Sequence, residues 1–168
     1  MCGDLEYKVS DGRWQDVQGF SQETASSSSE VMYRTKAFGI DSEGQLMALC
    51  YRYALPVGVG GICNDLGSFV RVGTSDYYYL YFIVDNNLIS CRFYYENGSY
   101  SAHPTVVDEG GWSKVICWSY RGDYRTGFGI KNGKLYRLIE NKIYKMNNFT
   151  YRNLIRINDY KIYAIKEV

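Results

Sequence analysis

One pattern recurs along this chain, and a repeat of that kind restricts the fold more than any other feature of the sequence. Three units superpose. Each opens with an aromatic residue at or just after glycine, and a valine follows three positions later. The pairs are Trp14 and Val17 in "GRWQDV", Phe69 and Val72 in "GSFVRV", and Trp112 and Val115 in "GGWSKV". An apolar strand, a tight turn and a second strand come next, in "AFGIDSEGQLMAL", "YFIVDNNLISCRF" and "GFGIKNGKLYRL". Ile40, Val84 and Ile130 align before the turn, at separations of 44 and 46 residues, and Leu46, Leu88 and Leu135 align after it. A fourth, partial unit closes the sequence. In it Ile157, Ile162 and Tyr163 lie a constant 27 residues beyond Ile130, Leu135 and Tyr136.

The physical reading of one unit is a four-stranded antiparallel meander. The aromatic strand comes first, two strands joined by a turn rich in Asn, Gly and Asp follow, and a last strand such as "NKIYKM" ends the unit. Asn132-Gly133 suits a type I′ turn, in which both central residues take positive φ. "ENGS" at Glu96 to Ser99 marks a second hairpin, between strands three and four of the second unit. No window of a dozen residues sustains the 3.6-residue period of a helix. The Ser-rich stretch from Ser21 to Glu30 reads as an exposed insertion, and Val57 to Gly61 as a glycine-rich link between units. The expected fold is therefore all-β, with meander repeats in a propeller-like array of about four blades. Its units are residues 12–57, 67–107 and 110–146 and a partial 149–168, within one domain of residues 1–168. The partial unit reads as the middle of a blade without its aromatic strand. Leu5 to Val9 is expected to be a strand covering its open edge.

Composition narrows the function. A net charge of +1, with acids and bases mixed along the chain, argues against nucleic acid as a partner. No apolar run approaches the ~20 residues of a membrane-spanning helix, so no membrane insertion is expected. The polar start "MCGDLEYKVSDGRW" lacks a signal-peptide core, which points to synthesis in the cytoplasm. Cys2, Cys50, Cys63, Cys91 and Cys117 form no CxxC pair and read as buried free thiols. With His103 as the sole histidine, neither a metal site nor a cofactor is expected. His103 reads as a loop residue beside Pro104, and no acid pair recurs at matched positions. The chain therefore reads as a non-enzyme with no catalytic residues. Eighteen tyrosines are the compositional oddity. They fit half-buried strands whose hydroxyls reach water, or a recognition surface.

The segment "GGWSKVICWSYRGDYRTGFGIKNGKLYRLIENKIYKM" resembles a blade of the regulator-of-chromosome-condensation type, and equally one of the tachylectin type of β-propeller lectin. Both carry a Gly-Trp-x-x-Val strand, an apolar strand, Asn-Gly-x-Leu-Tyr and a closing strand. The likeness covers Gly110 to Met146 well, Gly12 to Leu49 fairly and Gly67 to Val107 poorly. Such propellers have five or more blades, whereas this chain has three full units and a fragment. A compact four-bladed wheel, or closure by another copy in a homo-oligomer, would complete the ring. Repeats of this kind also occur in proteins of gut bacteriophages. The resemblance thus implies a recognition module, such as a phage virion or receptor-binding protein.

The recurring Tyr-Arg-Thr supplies candidate ligand-binding residues. Tyr33 with Arg34 and Tyr124 with Arg125 precede the apolar strand of their units, Tyr77 and Tyr78 replace them in the second, and Arg152 echoes them near the end. Arginine forks bind carboxylates or phosphates, and tyrosines stack on sugar rings. Trp14 and Trp112 recur at a packing position and read as core, whereas Trp118 does not recur and is free to act at the surface. Three partner classes follow. These are a cell-surface glycan, a small anionic ligand such as a signalling nucleotide, and a protein surface within an assembly. Tyrosine richness without basic charge favours glycan or protein.

Overall fold

Two-residue turns build much of the architecture. Asn132 and Gly133 take φ of 48° and 72°, Asp85 and Asn86 take 50° and 61°, and Glu140 and Asn141 take 49° and 67°. Positive φ at both turn positions matches the right-handed twist of the strands it joins. The computed structural model describes residues 12–19, 37–49, 54–67, 70–71, 77–96, 99–120, 123–158 and 161–167. Among them every element is a β-strand, every pairing is antiparallel, and there is no helix.

Four sheets follow one another along the chain. The first has the order β1 (Trp14–Gly19), β2 (Ala37–Asp41), β3 (Leu46–Leu49) and β4 (Ala54–Pro56). The second begins with β5 (Cys63–Leu66) and the short β6 (Val70–Arg71), both lying along the same edge of β7 (Tyr77–Val84). It continues through β8 (Asn87–Glu96) to β9 (Ser99–Asp108), whose first residue pairs with Glu96 across the expected hairpin. The third runs β10 (Trp112–Tyr120), β11 (Asp123–Lys131), β12 (Lys134–Ile139) and β13 (Lys142–Lys145). The fourth is the hairpin of β14 (Tyr151–Asn158) and β15 (Lys161–Lys166). The Val57 to Gly61 link joins the first sheet to the second. The Ser-rich stretch and Leu5 to Val9 lie outside the described residues.

The first strand of every sheet carries the same irregularity. Its ladder shifts register between Trp14 and Asp16, Cys63 and Asp65, Trp112 and Lys114, and Tyr151 and Asn153. In each case the residue after the bulge pairs with an isoleucine: Ile40, Ile83, Ile130 or Ile165. This register corrects three sequence assignments. Ile83, not Val84, is the counterpart of Ile40 and Ile130, since Ile83 pairs with Leu88 as Ile130 does with Leu135. The second sheet opens at Cys63, so its first strand starts ahead of Phe69, which lies outside the described residues. The fourth hairpin supplies strands one and two of a sheet, with Tyr151 in the aromatic place. Ile157 therefore lies on the first strand, within a further register shift, and is 62% exposed, whereas Ile130, with which the sequence aligned it, is buried.

Three apolar clusters fill the spaces between consecutive sheets. Phe38, Ile40, Leu46 and Ala48 of the first sheet meet Leu66, Leu80, Phe82 and Val84 of the second. Tyr79, Tyr81, Ile83 and Leu88 then meet Trp112, Val115, Cys117 and Leu138 of the third. Ile130 and Leu135 meet Leu154 of the fourth. Successive side chains of a strand point to opposite faces, so β7 feeds two clusters. A strand buried on both faces reads as a continuous apolar run, which accounts for "YYYLYFIV". Tyr79 and Tyr81 are buried rather than water-facing. Their rings meet edge to face at 5.4 Å, and both hydroxyls donate to Asn141 Oδ1, at 2.6 and 3.4 Å. Cys63, Cys91 and Cys117 are buried free thiols, and burial pushes each up to about 12.

Among the described residues Trp112 is the largest fully buried side chain. Its indole Nε1–H donates to Asp108 at 2.9 Å, and Lys131 lies over its ring at 5.9 Å while bonding the same carboxylate. Burial alone would raise Asp108, but the bonds from Lys131 and Trp112 outweigh it and hold the carboxyl below its usual value. The ring needs glycine opposite it, because a Cβ on Gly129 would sit 2.6 Å from Trp112 Cζ3. Gly39 stands in the same relation to Trp14, at 2.8 Å from Cε3, although Trp14 is only half-buried. Trp112→Ala should therefore cost roughly 3–5 kcal/mol, the range for emptying a buried aromatic site, and Trp14→Ala clearly less. Urea melts of the two variants check this. Equal losses would show that the two tryptophans are not graded by burial.

Candidate functional site

The four first strands meet around one cavity. Strand β5 lies against β1 on one side and β10 on the other, and β10 lies against β14. A cavity of about 270 Å³ is lined by residues from all four, including Asp16, Asp65, Lys114 and Asn153. These are the residues that follow the bulge in each sheet. A bulge bends its strand and re-aims the side chain beside it, so four copies of one backbone irregularity turn four polar side chains to a common space. Gln18 and Arg156 add to the polar lining, and Ile116 and Ile155 to the apolar part. Ile155 is 43% exposed, which marks where the cavity meets solvent.

Asp65 is the buried member of this set. Its carboxylate accepts a bond from Lys114 Nζ at 2.9 Å and from the Val115 backbone N–H at 2.7 Å, tying the second sheet to the third. The Asp65 side chain is 10% exposed and that of Lys114 40%. Asp16 is held differently, accepting from Gln18 Nε2 at 3.2 and 3.4 Å. Arg156 Nη1 reaches the Cys117 carbonyl at 3.5 Å, so its guanidinium spans from the fourth sheet to the third. Acceptors thus gather on the β1 and β5 side, and cations on the β10 and β14 side.

The sequence-derived candidates fall elsewhere. Tyr33 and Arg34 lie outside the described residues. Tyr77 and Tyr78 begin β7, and Tyr124 and Arg125 lie near the start of β11. Counted from Ile83 and Ile130, Tyr77 matches Tyr124 and Tyr78 matches Arg125 in strand position. Arg152 does not belong with them, because it is the exposed bulge residue of a first strand. His103, expected in a loop, is an exposed residue of β9 opposite Arg92, with Ser101 Oγ 3.0 Å from its Nε2. Pro104 is tolerated beside it because β9 is the edge of its sheet, where a missing N–H breaks no inner ladder. Among the described residues no cluster of His, Cys, Asp or Glu has the form of a metal site.

Sequence reasoning missed the cavity residues, although a signal was present. Asp16, Asp65 and Lys114 are spaced by 49 residues each, in "WQD", "CND" and "WSK", and Asn153 of "YRN" follows 39 residues later. Aligning on aromatic residues hid it, because Cys63 takes the tryptophan's place in the second sheet. No protein-family model, curated protein or solved structure matches the chain.

The burial of Asp65 carries a pH signature. Desolvation raises its pKa above the usual 3.8, and the bonds from Lys114 and Val115 only partly offset it. A raised folded-state pKa contributes stability that is full below the unfolded value and is lost as pH rises through the folded one. Asp65→Asn removes that dependence. The stability of the wild type relative to Asp65→Asn should therefore decline as pH rises from below 4 toward neutrality. Urea melts over a pH series measure it, and a difference that grows with pH would show that the two bonds outweigh burial.

Proposed function

We propose that this protein is a non-enzymatic recognition module, a propeller-like wheel of four blades that binds a sugar unit of a cell-surface glycan in its central cavity. The observation that carries this reading is the delivery of Asp16, Asp65, Lys114 and Asn153 from one repeated backbone position to a single cavity. Carboxylates accept hydrogen bonds, and amides both accept and donate. A lining of acids, amides and cations suits a ligand whose hydroxyls do the same. Pockets that fix a small ligand combine apolar wall with a few placed polar groups, and here Ile116 and Ile155 supply the wall. The blade-like sequence adds a setting, that of a phage virion or receptor-binding protein. The matching strand positions of Tyr77 with Tyr124 and Tyr78 with Arg125 add a second ring of candidates for contacts beyond the first sugar.

A glycan array probed with the whole chain tests the class of ligand, with a nucleotide thermal-shift screen beside it. Titration of the best glycan against variants then tests the site. Asp16→Ala and Asn153→Ala should each weaken binding about tenfold, as expected for losing a bond to a charged or well-placed polar group, with little change in melting temperature. Tyr124→Ala and Arg125→Ala should weaken it less. Full affinity in both cavity variants, with loss in the Tyr124 and Arg125 variants, would move the site from the cavity to the strand ends. A chain that binds nucleotides and no glycan would replace the glycan reading with the anionic-ligand one.

A further inference from the structure

Of the four charged side chains that line the cavity, Asp65 and Lys114 answer each other at 2.9 Å. Arg156 is engaged by the protein, at the Cys117 carbonyl and beyond it, and no ligand contact is assigned to it. Asp16 differs from these three. Its carboxylate accepts from the neutral Gln18 amide at 3.2 and 3.4 Å, and no cation pairs with it among the described residues. An ionised carboxylate offers about four acceptor positions and no donor, so acceptor capacity remains on the β1 wall. Donors remain on two other strands. Asn153 accepts the Leu154 backbone N–H at 2.9 Å through Oδ1, which leaves its Nδ2 protons. The Lys114 ammonium gives one of its protons to Asp65.

Resting on the reading of the cavity as a sugar site, we propose that Asp16 makes it selective for an uncharged sugar and closed to acidic ones. Hydroxyls of the sugar donate to Asp16 and accept from Asn153 and Lys114. A hydroxyl both gives and takes a hydrogen bond, so one kind of group serves every wall. A ligand carboxylate has no proton for Asp16 and adds a like charge beside it, and like charges in a partly desolvated space repel. The protein itself registers that field. Burial is the main cause that raises the pKa of Asp65, and the Asp16 charge raises it further. A sugar ammonium gains no advantage, because it cannot accept from Asn153 and it meets the Lys114 charge. The volume of about 270 Å³ falls just below the roughly 300–1,000 Å³ of pockets for drug-sized ligands, which suits one sugar ring.

The test uses the intact chain and free sugars. Methyl glycosides of glucose, galactose and mannose are titrated by calorimetry or ligand-observed NMR, each against its uronic acid counterpart and its 2-amino counterpart. In every series with measurable binding, the uronic acid should bind at least about tenfold more weakly than the neutral parent. The amino sugar should bind no more tightly than that parent. Asp16→Asn and Asp16→Ser both remove the charge, and melting curves show which of them folds. In a folded variant the acid should gain affinity and come within about threefold of the neutral parent. Acids that bind the wild type as well as neutral sugars would overturn the selectivity and leave the sugar site standing. Tighter binding of the amino sugars would overturn the preference for an uncharged ligand. A gap that survives the loss of the Asp16 charge would overturn the role given to Asp16. Failure of every sugar to bind would overturn the sugar site itself.

Discussion

Because successive side chains of β7 point to opposite faces, Leu80, Phe82 and Val84 pack toward the first sheet while Tyr79, Tyr81 and Ile83 pack toward the third. The second sheet is therefore floor to one cluster and ceiling to the next. A slip of one residue in β7 would exchange the two sets and bring the Tyr79 and Tyr81 hydroxyls, bonded to Asn141, into an apolar layer that offers them no partner. Unpaired buried hydroxyls are costly, so the register of the central sheet is held by polar as well as apolar terms. The sheets on either side meet it across its two faces, and the fourth meets the third in the same way.

Stacking sheets face to face in chain order also decides what their first strands must do. Strands β1, β5, β10 and β14 come side by side at one edge of the stack, and their bulges turn polar residues into the space they enclose. The buried Val115 and Leu154 line the cavity beside the half-buried Lys114 and Asn153. The Asp65–Lys114 bond joins two of these first strands. A buried ion pair is weak evidence for stability in itself, because desolvation opposes its attraction. Its use here is geometric, since it fixes two neighbouring first strands beside the cavity.

Much of the fold was legible in local chemistry. The turn at Asn132 and Gly133, the hairpin after Glu96 and the link from Val57 all follow from residues close in sequence, and the core place of Trp112 from its recurrence. The misplacements have separate local causes. Val84 was aligned with Ile40 because an unbroken apolar run such as "YYYLYFIV" shows no alternation from which to count faces. Ile157 was aligned with Ile130 because a constant spacing of 27 residues held on both sides of a turn. A bulge adds a residue to one strand without leaving a trace in composition, so the second slip could not be seen from spacing, whereas Ile83 and Ile130 each stand five residues before their leucine. Phe69 was chosen over Cys63 for another reason, since the strand position selects for burial, and a thiol satisfies it as an aromatic ring does.

The candidate site divides along the same line. Repetition in the sequence pointed to residues placed alike in different units, and Tyr77 with Tyr124 and Tyr78 with Arg125 do share strand positions. The cavity residues share a strand position too, yet that means nothing until the first strands are known to be neighbours. The sequence by itself determined an all-β chain of antiparallel meanders, because turn residues and strand alternation act between positions a few residues apart. Only the tertiary structure decided which strand begins each sheet, which tyrosines are buried, and that Asp16, Asp65, Lys114 and Asn153 face one space. Those outcomes depend on contacts between residues some forty to fifty positions apart, where burial and desolvation, rather than local propensity, select the partner.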